Sequence, residues 1–514
     1  MAYLLGIDVG TSGTKALVIS EEGVPLGSAT ADYPLSTPQP GWAEQDPADW
    51  WRATAVAIRG ACERAGIAPE AISGIGLSGQ MHGSVFLDDA HQVIRPAILW
   101  CDQRTAAQCE RITERVGRDH LVRITCNQVL TGFTAPKIVW LQENEPEAYA
   151  RVRKVLLPKD YIRFRLTGEF ATEVSDASGT SLFDVPRRCW SGEILDALGI
   201  PESWMPRVYE SPEISGRIHA TAAAETGLKE GTPVVGGGGD QAAGAVGSGI
   251  VSPGAVSISL GTSGVVFAYA DEPATDPELR THTFCHAVPG KWHVMGVMLS
   301  AAGSLRWYRD HLAQHEVEVA TRLEVDPYEL ICAEAARAPL GSEGLLFLPY
   351  LTGERTPYPD PHARGVFFGL SLRHDRRHMA RAVIEGVSFG LRDSFEILKA
   401  MGVPIGQVRV SGGGARSAIW REVLAATLNT PLFQATTEEG AAFGAALLAG
   451  VGLGLYPSVP EACARTIAAR EVTPAPPAVE VAAYNAYHRI YRQLYAQLKD
   501  LFDETARIVQ EEQA

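Results

Sequence analysis

No stretch of this 514-residue sequence offers the ~18 uninterrupted apolar residues of a membrane-crossing helix. The start, Met1-Ala2-Tyr3-Leu4-Leu5-Gly6-Ile7-Asp8, lacks a basic leader and meets an acid within a few residues, so neither a membrane span nor a signal peptide is expected. No C-x-x-C pair occurs among the eight cysteines scattered from Cys62 to Cys463, which suits reduced thiols in a cytoplasmic protein better than a disulfide framework. Basic residues are also scarce: 45 Lys and Arg against 60 Asp and Glu leave a net charge of -15, which argues against a broad nucleic-acid surface. G-x-x-x-x-G-K-[ST] is missing too, so any nucleoside triphosphate site is not a P-loop. What is present is 46% hydrophobic residues in a chain long enough for two large domains, each with its own core.

Asp8-Val9-Gly10-Thr11-Ser12-Gly13 lies between two apolar runs, and Gly261-Thr262-Ser263-Gly264 repeats its core between Ala255 to Leu260 and Val265 to Tyr269. Glycine lets the backbone come close to a ligand, while neighbouring N–H groups and hydroxyls supply donors to an anion. A single such turn is more often a plain hairpin. Two of them, the first entered by a carboxylate, predict two related domains gripping one polyphosphate, with Asp8 placed to hold Mg²⁺ beside the phosphates.

Strands and helices alternate in the α/β manner. Asp46-Pro47 predicts a helix start with Asp46 as N-cap, and Trp50, Ala53, Ala57, Ile58 and Ala61 give that helix an apolar face. Ile72 to Ser78 reads as a buried strand. Gly74-x-Gly76-x-x-Gly79 matches the dinucleotide fingerprint formally, but its glycines lie inside that strand, and Gln80-Met81-His82-Gly83 followed by Ser84 to Leu87 predicts a β-hairpin instead of a helix. His282, Cys285 and His286 lack the four-ligand spacing of a closed zinc site. A helix is predicted over His378 to Leu398, a strand from Val408 into Gly412-Gly413-Gly414, and a helix from Ser417 to Leu428. The domain junction is expected near residues 246 to 254, giving domains 1–246 and 252–499. The charged tail, 500–514, reads as a fraying helix end.

Asp240 is the candidate catalytic residue. Gly236 to Gly239 precede it and Gln241-Ala242-Ala243-Gly244 follow, so a substrate can approach its carboxylate closely; the competing reading is an N-cap for a helix starting at Gln241. A kinase acting on a hydroxyl needs such a base.

These segments together resemble the FGGY family of carbohydrate kinases. Asp8 to Lys15 is similar to the family's first phosphate motif and Ser259 to Gly264 to its second. Gly132-Phe133-Thr134-Ala135-Pro136-Lys137-Ile138-Val139-Trp140-Leu141 resembles one family signature, and Gly365 to Leu370 continuing to Ala382-Val383-Ile384-Glu385-Gly386 the other. Ser78 to Gly83 is similar to the members that act on xylulose. The resemblance runs from about residue 3 to about residue 450.

It implies a two-domain actin-like ATPase, ribonuclease H-like fold with a central cleft, and ATP-dependent phosphorylation of a ketopentose, D-xylulose, to its 5-phosphate. On that model Asp240 is the base and Asp8 holds the Mg²⁺-ATP side. Met81 and His82 line the sugar pocket with Gln80, Trp100 and Gln241 as neighbours; Gln241 stands where family members often carry Asn. Gly10, Thr11, Ser12, Lys15, Gly261, Thr262 and Ser263 hold phosphate, and Gly412, Gly413 and Gly414 lie against the adenosine. A homodimer stays open. The alternatives are a kinase for ribulose, gluconate or glycerol, an actin-like ATPase without sugar kinase activity, and a sugar-sensing regulator, for which no helix-turn-helix segment or basic patch is visible.

Overall fold

The computed structural model describes residues 2–437 and 439–513. Its first half is built on a mixed sheet seeded by the apolar run from Leu4 to Val9. The strands β1 (Tyr3–Val9), β2 (Gly13–Ser20) and β3 (Pro25–Asp32) form an antiparallel meander whose first turn is the Gly10 to Ser12 segment. The helix α1 (Pro47–Ala65) starts as its sequence predicts, with Asp46 Oδ1 accepting the Ala48 N–H at 2.9 Å and Gly66 closing the far end in the left-handed region. Trp50, Ala57, Ile58 and Ala61 on its inner face are buried against Ile7, Val18 and Ile75. The strand β4 (Ile72–Gly79) runs parallel to β1 and sets Ser78 opposite Asp8.

Among the helices that follow are α2 (Thr134–Asn144) and α3 (Pro158–Thr167), before the sheet is completed by β5 (Ile214–Arg217), β6 (Pro233–Val235) and the two-residue β7 (Gly238–Gly239). The spatial order is β5-β6-β4-β1-β2-β3, with β7 also paired to β4. From β7 the chain passes without a loop into α4 (Asp240–Gly247). The helix begins at Asp240 itself with Gly239 at the cap position, so Asp240 is not the N-cap of a helix starting at Gln241.

The second half repeats the plan. The antiparallel strands β8 (Gly254–Leu260), β9 (Gly264–Ala270), β10 (His282–Cys285) and β11 (Trp292–Met298) carry the second glycine turn between β8 and β9. The helix α5 (Arg376–Ala400), capped by Asp375, precedes β12 (Ile405–Ser411), which is parallel to β8 as β4 is to β1. Then come α6 (Ala418–Leu428) with Ser417 as its N-cap, β13 (Leu432–Ala435), α7 (Gly440–Gly452), β14 (Ala469–Thr473) and α8 (Ala478–Gln513). The sheet order is β10-β11-β9-β8-β12-β13-β14. Two sheets of one plan are the expected actin-like, ribonuclease H-like arrangement.

The seam between the halves is made by α4 and α7. Although α7 comes from the second half, it lies on β1 and β4, where β-carbons at Gly6 and Gly76 would sit 1.8 Å from the carbonyl oxygens of Ala442 and Ala445. Only glycine permits that approach.

Val85 to Leu87 pairs with Lys154 to Leu156 and also turns back at Asp88, where Leu87 bridges Val93 and the Ile94 N–H meets the Phe86 carbonyl at 2.9 Å, so the segment after Gly83 enters a short hairpin and no helix. The charged tail is the expected helix end, α8 continuing to Gln513 with Phe502 buried in the core; Ala514 lies outside the described residues.

Candidate active site

The first turn is closed by the Gly10 N–H on the Gly13 carbonyl at 3.0 Å and fixed from outside by Tyr33, whose hydroxyl donates to the Gly10 carbonyl at 2.6 Å. Thr11 is its anchor. The Trp100 indole donates to Thr11 Oγ1 at 3.0 Å, the Thr11 hydroxyl donates to Gln80 Oε1 at 3.3 Å, and Gln45 Nε2 reaches the Thr11 carbonyl at 2.7 Å. Gln80 Nε2 in turn donates to Gln45 Oε1 at 3.1 Å and to Gly10 at 3.3 Å. Gln80 and Trp100, expected beside the sugar, hydrogen-bond the first glycine turn. Ser12 is exposed, and Lys15 meets Glu439, from the segment leading into α7, at 2.5 Å.

Asp8 lies near the end of β1, just before this turn, and Asp240 follows β7, which pairs with the end of β4. Burial raises the Asp8 carboxyl above its ordinary value, partly offset by Ser78 and by the charge of Lys15, and Asp8 Oδ1 is buried with no hydrogen-bond partner among the described residues. Asp240 is pushed up to about 7, first by burial and then by the negative charge of Asp8. Its predecessor Gly239 lies against Met81, whose Cγ would be 2.9 Å from a β-carbon at 239.

His82 follows Met81. Its imidazole is tilted over Phe133 with ring centroids 4.7 Å apart, and burial together with the nearby Lys137 ammonium holds its pKa down to about 3, so the ring is neutral. Nδ1 lies 2.8 Å from the Gly179 carbonyl. A carbonyl can only accept, so Nδ1 carries the proton and Nε2 is left as an acceptor. Below it, the His82 carbonyl receives Lys137 Nζ at 2.9 Å and the Thr134 hydroxyl at 3.1 Å.

The second turn is tied to the chain after β11 by Ala301 N–H on the Thr262 carbonyl at 2.9 Å and Ala302 N–H on that of Gly261 at 2.8 Å. Gly261 and Thr262 form one wall of a cavity of about 800 Å³, with Gly413, Gly414, Tyr328 and Trp420 on its other sides. A second cavity of about 400 Å³ has Asp240 and Gln241 at one end and Gly412 and Gly413 at the other. Gly413 and Arg416 line both, so the two cavities are adjacent. Ser263, exposed at the tip of the turn, lines neither cavity.

Phe133, Tyr328 and Trp420 were not singled out from the sequence as site residues. Trp420 carried a signal, an aromatic three residues after the helix cap that follows a glycine turn. Tyr328 carried none.

The FGGY family of carbohydrate kinases is matched by its N-terminal domain model over residues 3–247 and by its C-terminal domain model over residues 256–453. The chain belongs to this family. It is 41% identical to the xylulose kinase of Escherichia coli strain K12 over 97% of this chain and 99% of that protein. It is 40% identical to the xylulose kinase of Bacillus subtilis strain 168, covering 98% of each. Among solved structures, one described as a xyloylose kinase from Brucella ovis superposes with a TM-score of 0.88 at 41% identity, covering 97% of this chain and all of that one. This FGGY protein is therefore a carbohydrate kinase with ATP as phosphoryl donor, and none of its described helices is long and apolar enough to cross a membrane.

Proposed function

We propose that this FGGY kinase transfers the γ-phosphoryl group of ATP to D-xylulose, forming D-xylulose 5-phosphate. The observation that carries the substrate is the near-full-length similarity to xylulose kinases, 41% and 40% identical to two of them, in a chain that packs Met81 against Gly239, the residue before Asp240. In this reading Asp240 accepts the proton of the sugar hydroxyl as its oxygen bonds to the γ-phosphorus. The bond from phosphorus to the bridging oxygen breaks, and ADP leaves with the electron pair. A carboxyl held near neutrality is matched to that task, being mostly ionised at slightly alkaline pH yet basic enough to take the proton.

Met81 packs along the sugar, Nε2 of His82 accepts from one of its hydroxyls, and Gln241 offers an amide from the helix that carries the base. The two turns, Gly10 to Ser12 and Gly261 to Ser263, surround the phosphates with N–H groups and hydroxyls, Lys15 adds a cation, and Gly412 to Gly414 bound the nucleoside. Mg²⁺ fits here: the buried and unpartnered Oδ1 of Asp8, with a second carboxylate near it, is the hard oxygen donor such an ion takes. When bound it supplies positive charge to the phosphates. The eight unpaired cysteines suit a cytoplasmic setting.

Coupled ADP release measured across D-xylulose, ribulose, gluconate and glycerol tests the reading. D-xylulose should give the highest kcat/KM; a preference for another acceptor overturns the substrate, and no stimulation by any of them overturns the reaction.

A further inference from the structure

We propose that Ser175, backed by Glu173, is the positioning residue that fixes Asp240, an inference that rests on the reading of Asp240 as the base. Asp240 is delivered by Gly236 to Gly239, a run with no side chains to anchor it. At Gly237 the backbone is left-handed, φ 72°, and a β-carbon there would lie 1.9 Å from the Leu77 carbonyl oxygen. Whatever holds the run must therefore hold its peptide groups.

Those groups are gripped from below by a buried cluster that does not face the cavities. The Gly239 N–H donates to Ser175 Oγ at 3.0 Å, and the Ser175 hydroxyl donates to Glu173 Oε1 at 2.9 Å. A hydroxyl has one proton, so giving it to the carboxylate leaves its lone pairs for Gly239. Glu173 also accepts from the Ser211 hydroxyl at 3.1 Å, and the Ser211 carbonyl accepts the Gly237 N–H at 2.8 Å. One carboxylate thus backs the groups that hold both Gly237 and Gly239. Arg163 completes the grip, donating to the carbonyls of Val235 and Gly236 at 2.6 Å each. Lys159 balances the charge, 2.7 Å from Asp160, 3.0 Å from Asp176 and 3.5 Å from Glu173, and every one of these side chains is fully buried.

Ser175 is the informative member because its side chain bonds the N–H of Gly239, the residue before the base, and carries no charge. Removing its hydroxyl frees the Gly239 N–H and lets Asp240 drift relative to the sugar hydroxyl. A displacement of that kind lowers turnover by about 10- to 100-fold.

The test is a double-mutant cycle between Ser175→Ala and Asp240→Asn, with thermal melting to establish that each variant is folded. Ser175→Ala alone should lower kcat by about 10- to 100-fold with the KM for ATP within about twofold of wild type, and in the Asp240→Asn background it should cause no further loss of the residual rate. Wild-type kcat in Ser175→Ala, or equal losses in both backgrounds, overturns the positioning role while leaving the base in place. Wild-type turnover in Asp240→Asn removes the base and this inference with it. Should Ser175→Ala fail to fold, Ser175→Cys, which keeps a weak acceptor of similar size, is read in the same cycle.

Discussion

Gly179 and His82 are in such close contact that a β-carbon at 179 would sit 2.3 Å from Cε1 of the imidazole and 2.4 Å from Nδ1. The same glycine supplies the carbonyl that fixes the ring's tautomer. Gly179→Ala must therefore expel the imidazole from its seat over Phe133 and scatter the Nε2 acceptor. The KM for sugar should rise by about tenfold or more, the loss of one good hydrogen bond to substrate, while the KM for ATP stays put. Steady-state kinetics with each substrate varied in turn checks this; an unchanged sugar KM removes His82 from the sugar site.

The pH dependence of kcat/KM should report Asp240. With its carboxyl pushed to about 7, the enzyme loses activity as pH falls through that value, because the protonated acid cannot take the sugar proton. Part of the rise comes from Asp8, a neighbouring negative charge, and Asp8→Asn removes it. The acid limb of that variant should move to lower pH even though its turnover falls. A limb that stays in place, or moves up, contradicts the electrostatic coupling of the two carboxylates.

What the sequence made legible is what short-range rules govern. Asp46-Pro47 announces α1 because a cap and its helix are neighbours, and the two glycine turns stand out because each lies between strands that pair with one another. The tertiary assignments were less accessible. Gln80 resembles a sugar ligand by its place before Met81 and His82, yet its amide is engaged by Gln45, 35 residues away, and by the first turn. The helix α7 reads as part of the second domain by order, while its glycines and alanines fit the sheet of the first. Ser175, Glu173 and Arg163 showed no pattern, since a buried ionic cluster is assembled from distant segments and has no period.

On the nucleotide side, Gly412 has φ 84°, and a β-carbon there would lie 2.7 Å from the carbonyl carbon and oxygen of Leu260, at the entrance to the second turn. Gly412→Ala is strained twice over, by backbone and by contact. The turn must shift, and ATP binding should suffer first: a KM for ATP raised by about tenfold or more with the sugar KM little changed, the reverse of Gly179→Ala. Equal effects on both substrates would mean that the turn does not serve ATP alone.

Asp240 should also weaken the fold it serves. Its carboxyl titrates near 7 in the folded chain against 3.8 for the ordinary side chain, so between those values the folded state keeps a proton that the unfolded state has released. Stability therefore falls as pH rises through that window, and the penalty is complete above about pH 7. Each unit of the shift is worth about 1.4 kcal/mol, reduced by the water that reaches this half-buried group. Asp240→Asn has no proton to lose. Its melting temperature should exceed that of the wild type at pH 8, with the difference shrinking toward pH 5 as the wild-type carboxyl is protonated. A difference that is constant with pH, or a variant less stable than wild type at pH 8, would show that Asp240 is not held in a place that resists its charge.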